Sequence, residues 1–296
     1  MDTSRSLAEN LKLTGPNLVS YPEVLDKVVN VVIALITKKH PCQAEEFSLE
    51  SEGDLSDIET TEFDWLVVDS AMDLISGLAV ALGPTFTPLW KKFDKHILKY
   101  ASGGETLERT TAVGVLAEVI TGMGSSVTPF TSQLGQILLK RLTDEDPQTK
   151  SNAAYAIGRL VEKSDDASTI AKAYPQILSK VHNLLTIKEG RCQDNAAGCI
   201  SRLILKNREA VPTDEILPPL IESGIIPLKE DYEENEPVWK MIVQMYKWED
   251  QSIVRLTPKL IPAIKAVLGE PENQLNDETR EQVQQLAMFL QQNMSS

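Results

Sequence analysis

The sequence predicts an all-α chain of about six stacked helix pairs, and three observations carry that expectation. A helix-opening motif recurs every forty-odd residues. A second series, marked by prolines, recurs with a similar period but out of phase. No segment alternates polar and apolar side chains in the way a half-buried strand does.

The motif is clearest from Asp144 to Leu160. Asp144, Glu145 and Asp146 stand where free N–H groups and the helix dipole favour negative charge, and Pro147 suits the first helical position. Ala153, Ala154 and Ala156 allow close approach of another helix, while Ile157, Leu160 and Val161 continue an apolar face. Asn152-Ala153-Ala154 recurs as Asn195-Ala196-Ala197, and Thr111-Ala112-Val113 and Ser70-Ala71-Met72 fit the same frame. Behind these anchors Ile75, Leu116, Ile157 and Ile200 agree, as do Leu78, Val119, Leu160 and Leu203. The second series is Pro88, Pro129, Pro175, Pro218 and Pro262, each read as a helix start with an apolar run behind it. Two interleaved helices at this period fall in the range of HEAT and armadillo repeats. Asp146–Gly158 resembles the second helix of a HEAT repeat, so the expected fold is a right-handed HEAT-repeat solenoid, a single array over 1–296.

Taken in order, residues 3–14 read as the tail of a helix whose partner is missing, so a fragment of a longer array is expected. Pro22–Lys39 is the first complete helix, with a broad apolar face of Val24, Leu25, Val28, Val31, Val32, Leu35 and Ile36. The segment 41–62 carries eight acids and no Lys or Arg, which predicts an acidic loop insertion, disordered over 43–60. Ser51 and Ser56 each have an acid three residues on and are weaker phosphorylation candidates. Helices are then expected at 62–81, 86–101, 105–121, 127–142, 147–163, 167–186 and 190–207. Another starts at 211–215 and ends near Gly224; its partner opens at Pro237 and runs to about Trp248. The last pair is 251–268 and 276–293, with Asp277 expected to cap the final helix and its glutamine-rich side to face water.

Composition narrows the function classes. The chain has 296 residues, 5% aromatics and a net charge of −14. Recognition of nucleic acid phosphates needs clustered Lys and Arg, so direct nucleic-acid binding is not expected, whereas basic partners are. Cys42, Cys192 and Cys199 give no disulfide framework. Cys192 and Cys199 stand roughly 10 Å apart along one helix, too far for a bridge. The start of the chain has no signal-type apolar stretch, and Val28–Ile36, read as the longest apolar segment, is too short to span a bilayer. The chain therefore reads as intracellular. His40, His96 and His182 lack partners at metal-ligand spacing, and no phosphate loop or nucleophile elbow occurs. No cofactor, metal or enzymatic activity is expected.

Two features point to peptide binding. Helical spacing places Asn152, Tyr155 and Arg159 on one polar stripe, with Asn195, Gly198 and Arg202 as equivalents one repeat on. An ordinary polar face with hydrogen bonds between repeats explains this equally well. On the sharper reading Asn152, Tyr155, Asp194 and Asn195 clamp an extended peptide, and Gly198 and Gly114 leave it room. The second feature is the acidic run Glu230, Asp231, Glu233, Glu234 and Glu236, followed within a turn by Trp239. Part of this cluster serves the next helix dipole; the rest, beside an indole, forms a lysine site by charge and cation–π contact.

The repeats, the acidic insertion and the run Ser151-Asn152-Ala153-Ala154-Tyr155-Ala156-Ile157-Gly158 together resemble the C-terminal HEAT repeats of the importin-β (karyopherin-β) family. The resemblance implies a monomeric, shuttling receptor region, cytoplasmic and nuclear. It would bind lysine-rich nuclear localisation signals in an acidic concave groove, with histone H3 and H4 tails and ribosomal proteins as cargo. It implies Ran-GTP as a partner through N-terminal repeats that this sequence lacks, contacts with nucleoporins, and no membrane. The alternative is a HEAT scaffold subunit of a phosphatase or a chromosome-organising complex.

Overall fold

The structure, a computed structural model, describes residues 9–11, 13, 15–43, 56–189, 191–222 and 224–294. Helices and short 3-10 turns make up its regular structure, and no strand occurs among the described residues. The chain divides into two compact units, Met1–Phe130 with Lys163–Asp165, and Thr131–Glu162 with Asp166–Ser296.

The first unit contains α1 (Pro22–Ile36), α2 (Ser56–Leu82), α3 (Thr87–Ala101) and α4 (Thr106–Met123). Helix α2 packs against α1 and α4, and α4 against α3. The anchor alanines do what their size suggests: Ala71 and Ala112 are fully buried, as are Ile75, Leu78, Leu116 and Val119 behind them. The Tyr100 hydroxyl donates to Ile36 O at 2.8 Å and ties α3 to the end of α1.

The second unit contains α5 (Thr131–Arg141), α6 (Pro147–Lys163), α7 (Ala167–Leu184), α8 (Cys192–Lys206), α9 (Thr213–Glu222), α10 (Asn235–Lys247), α11 (Gln251–Val254), α12 (Thr257–Val267) and α13 (Asp277–Met294). Helix α8 packs on α7 and α10, and α10 on α13. The equivalent core positions Ala153, Ala154, Ala196, Ala197, Ile200 and Leu203 are buried. The Tyr174 hydroxyl, buried in α7, donates to Leu203 O of α8 at 3.0 Å. Its pKa is pushed up to about 12, first by burial and then by Cys199 nearby. With α11 as an extra turn, the helices form about six pairs, the HEAT-type architecture that the period predicts.

Several details differ from the sequence reading. Helix α2 begins at Ser56, so 56–62 is helical; residues 44–55, including Ser51 and most of the acidic insertion, lie outside the described residues, as does the stretch 1–8. Pro175, Pro218 and Pro262 sit inside α7, α9 and α12 and not at helix starts. Each removes one N–H from the ladder yet is tolerated where packing holds the helix. The final helix is capped by Asn276, whose side-chain oxygen accepts from Thr279 N at 2.8 Å, with Asp277 as its first residue. Two stretches, Trp65–Ala101 and Thr106–Arg141, are long and apolar enough to cross a membrane by length and composition, contrary to the expectation drawn from Val28–Ile36. Each is broken into separate helices at a glycine with positive φ, Gly83 or Gly124, and much of the apolar surface is spent on helix contacts.

Candidate functional site

The site begins at the start of α6. Asp146 accepts from Thr149 N at 2.6 Å and from Thr149 Oγ1 at 2.7 Å, so it is the cap that the acidic run promised. Asp144 bonds Arg141 at 2.6 Å instead. From this fixed start the helical period brings Tyr155, Arg159 and Glu162 to one side of α6. Arg159 pairs with Glu162 at 2.9 Å. One repeat later, on α8, Arg202 reaches the same place and donates Nε to Glu162 at 3.1 Å.

The other partner of Arg202 comes from the 3-10 turn Tyr232–Glu234 that precedes α10. Glu234 is 1% exposed and accepts a bidentate pair from Arg202, at 2.5 Å and 2.7 Å. A fork-to-fork bond of this type is among the stronger hydrogen-bonded arrangements in proteins. Burial alone would lower the guanidinium pKa, but hydrogen bonding and charge from Glu234 outweigh it and hold Arg202 above its ordinary value. Burial pushes Glu234 in turn above the usual carboxylate range, with Arg202 opposing. Tyr155 lies between two guanidinium groups, with Arg202 Cζ 5.7 Å and Arg159 Cζ 5.9 Å from its ring centroid. Both distances fall within cation–π range.

These groups form one wall of a cleft of about 790 Å³ between the second helices of successive pairs. Leu205 and Lys206 extend the α8 wall, Glu236, Pro237 and Lys240 come from α10, and Asn273 to Asn276 close one end. Glu236 and Lys240 pair at 2.6 Å, one turn apart. The lining carries Glu162, Glu233, Glu234 and Glu236 against Arg159, Arg202, Lys206 and Lys240. The acidic groove expected from the sequence is therefore a mixed-charge cleft: Glu162, Glu234 and Glu236 are each met by a base, from the same helix or a neighbouring one, while Glu233 meets none among the described residues.

Of the residues singled out in the sequence, Tyr155, Glu233, Glu234 and Glu236 come together in this cleft. Three others are occupied inside the protein and cannot meet a peptide as expected. Trp239 is fully buried in the core of α10, so its ring offers no face to a lysine stem. Asn195 is 4% exposed and its Nδ2 donates to Ser151 O at 3.2 Å and Ser151 Oγ at 3.0 Å, clamping α8 to α6. Asp194 is buried and accepts from Glu230 N and Asp231 N, each at 2.8 Å, so it holds the acidic turn in place. Burial raises its carboxyl above the ordinary range, and those backbone donors oppose the rise. Glu234 lines the cleft but is spent on Arg202.

Of the remaining three, Asn152 is half-buried, accepts from Gln148 Nε2 at 2.8 Å and does not line the cleft. Asp231 pairs with Arg191 at 3.3 Å, and Glu230 borders a smaller hollow of about 290 Å³ with Lys188, Gln193 and Lys229. Gly198 makes no room for a peptide: a Cβ there would stand 1.5 Å from Glu234 Oε2, so the space is filled by that carboxylate.

The sequence reading missed Glu162, Lys206, Lys240, Asn273 and Gln274. For Glu162 a signal was present. Arg159 and Arg202 are equivalent positions of successive repeats, so a carboxylate three residues after Arg159 faces both. Asn273 and Gln274 lie in a turn that no period marks.

A HEAT-type stack whose second helices line a cleft with many charged side chains defines the class of this chain: a helical-repeat solenoid. No protein-family model matches it. Over 264 residues it is 39% identical to the probable importin subunit beta-4 of Schizosaccharomyces pombe, covering 87% of this chain and 24% of that protein. It is 27% identical over 293 residues to importin-4 of Homo sapiens, covering 98% of this chain and 26% of that protein. Among solved structures a Kap121p mutant matches with a TM-score of 0.61 at 15% identity, over 88% of this chain and 24% of that one, a likeness of fold. As a HEAT-repeat region the chain is similar to importins of the importin-β family, in the importin-4 branch. It spans about a quarter of the length of the curated relatives it matches.

Proposed function

We propose that the chain is the C-terminal cargo-binding region of a nuclear import receptor, and that the cleft between α6, α8 and α10 holds an extended, lysine-bearing localisation segment. The likeness to importins supports the transport role. The observation that carries the cleft assignment is Glu233: it is exposed at the cleft wall and has no basic partner among the described residues, beside the tyrosines Tyr155 and Tyr232. A cargo lysine would pair with Glu233 and compete with Lys240 for Glu236, while its stem lies on the rings. Asn273 would meet the peptide backbone, since an amide both donates and accepts. Histone H3 and H4 tails and ribosomal proteins have the required lysine density. In the full receptor, release by Ran-GTP would act through repeats outside this region, and the protein would shuttle between cytoplasm and nucleus.

The test is titration calorimetry with a lysine-rich H3-tail peptide. Reversal of Glu234 is excluded as a probe, because it would leave Arg202 buried beside a like charge. Glu233→Lys with Glu236→Lys alters the cleft wall without touching that pair. Exposed pairs contribute about 0.2–1 kcal/mol each, so removing two and adding repulsion should weaken binding roughly tenfold. Glu50→Lys with Glu52→Lys makes the same charge change in the acidic insertion and should cost far less. Equal losses from the two double variants would show diffuse attraction and overturn the cleft assignment.

A further inference from the structure

In an acidic protein one helix stands apart. Helix α3 carries Lys91, Lys92, Lys95 and Lys99 against the single acid Asp94, and all four lysines are exposed. At 100° per residue they share an arc of about 100°, with Asp94 outside it. Lys92 bonds Asp26 of α1 at 3.3 Å. Lys91, Lys95 and Lys99 have no carboxylate partner among the described residues. Lys38 and Lys39, just past the end of α1, are exposed too. Lys39 is close enough to act on His96 of α3: the imidazole is held below its ordinary value by burial first, then by Lys95, with Lys39 and Lys99 adding and Asp94 opposing. The two helices thus concentrate positive potential on one face of the first unit.

We propose that this lysine face is a docking surface for an acidic, extended segment of a partner protein. It lies in the first unit, on residues separate from those of the cleft. The spacing favours an extended peptide. Lys91, Lys95 and Lys99 recur every four residues, about 6 Å apart along the helix axis. Alternate residues of an extended chain recur about 6.6–6.8 Å apart on one side. Acids at every second position therefore run in step with the three lysines over their full length of about 12 Å. A nucleic acid is disfavoured, because the net charge of −14 repels a long polyanion and the stripe is too short for several successive phosphates.

The probe is a fluorescein-labelled peptide of six Glu-Ser repeats, measured by fluorescence anisotropy at low salt, with six Gln-Ser repeats as neutral control. The triple variant Lys91→Glu, Lys95→Glu, Lys99→Glu should weaken Glu-Ser binding by roughly tenfold or more. These side chains are exposed, so circular dichroism and the Tm should stay near the parent values. The triple variant Lys172→Glu, Lys259→Glu, Lys265→Glu makes the same net-charge change on exposed sites elsewhere and should cost less than about threefold. Four results would overturn the proposal: no binding by the parent chain, equal losses in the two triples, tighter binding of a single-stranded RNA oligonucleotide than of the peptide, or peptide binding that appears only after residues 44–55 are deleted. The last would mean that the chain's own acids take the stripe.

Discussion

Replacing Gly198 by alanine tests the buried centre of the cleft most directly. In an unconstrained helix the change is favourable by about 1 kcal/mol. Here the new Cβ would lie 1.5 Å from Glu234 Oε2, 2.6 Å from its Cδ and 3.0 Å from Arg202 Nη1. The carboxylate must leave the position in which it pairs with Arg202. Breaking a buried pair by displacing one partner costs about 3–5 kcal/mol. Glu162 still holds Arg202 at 3.1 Å, which argues against the top of that range. Net of the helix gain, destabilisation should be about 2–4 kcal/mol. At roughly 2–4 °C per kcal/mol, the second unit should melt about 5–15 °C lower. Urea titration followed by tryptophan fluorescence measures the same loss. The decisive comparison repeats the substitution in a Glu234→Ala background, where the Cβ meets no carboxylate and Gly198→Ala should turn stabilising. Equal effects in both backgrounds would refute the reasoning, since additivity means the two positions do not meet.

Thiol accessibility follows from burial: Cys42 is exposed, Cys192 is raised by burial, and burial pushes Cys199 up to about 12, so a thiol reagent should modify one cysteine quickly and the other two only on unfolding. Burial would raise Asp250, but hydrogen bonds from Arg208 and Ser252 hold it below the usual carboxylate range. A depressed folded value means that its stabilisation is complete above the unfolded carboxylate range and is lost as pH falls through the folded value. Arg208→Ala should therefore cost stability at neutral pH and progressively less in acid, read from urea midpoints along a pH series. Trp239→Ala empties a fully buried site and should destabilise by about 3–5 kcal/mol, whereas a functional ring at the surface would have cost binding and little stability.

The fold was legible because a repeat writes its core many times. Ala71, Ala112, Ala153 and Ala196 are buried at the same position of successive copies, so the period averages out local ambiguity. Helix α6 was legible to the residue, since Asp146 and Pro147 mark its start by cap chemistry. Pro175 and Pro262 misled, because a single proline reads as a boundary while packing along the rest of the helix tolerates it. The site was legible only in part. Periodicity says that Asn195 shares a stripe with Arg202 but not which side of the stripe a neighbouring helix covers. Asn195 falls under α6 and bonds Ser151, while Arg202 opens on the cleft. Trp239 followed an acidic run and read as a surface aromatic, yet apolar residues on both sides, Val238 and Met241 among them, carry it into the core.

The acidic run from Glu230 to Glu236 shows how a charged sequence cluster divides its labour. Asp231 caps the 3-10 turn through Glu233 N and pairs with Arg191. Glu234 goes inward to Arg202, and Glu236 pairs along α10 with Lys240. Only Glu230 and Glu233 keep exposed carboxylates without a basic partner among the described residues, and only Glu233 lines the cleft. On the proposed reading, the attraction for a cargo lysine would be set by one free carboxylate and one that must exchange partners. Such a site gains modest energy per contact at an exposed surface. A cargo with several lysines, bound along the length of the cleft, would be held by the sum of weak contacts. A single lysine would not be held. A series of H3-tail peptides with one, two and four lysines tests this: affinity should rise with each added lysine, and a flat response would place recognition elsewhere than Glu233 and Glu236.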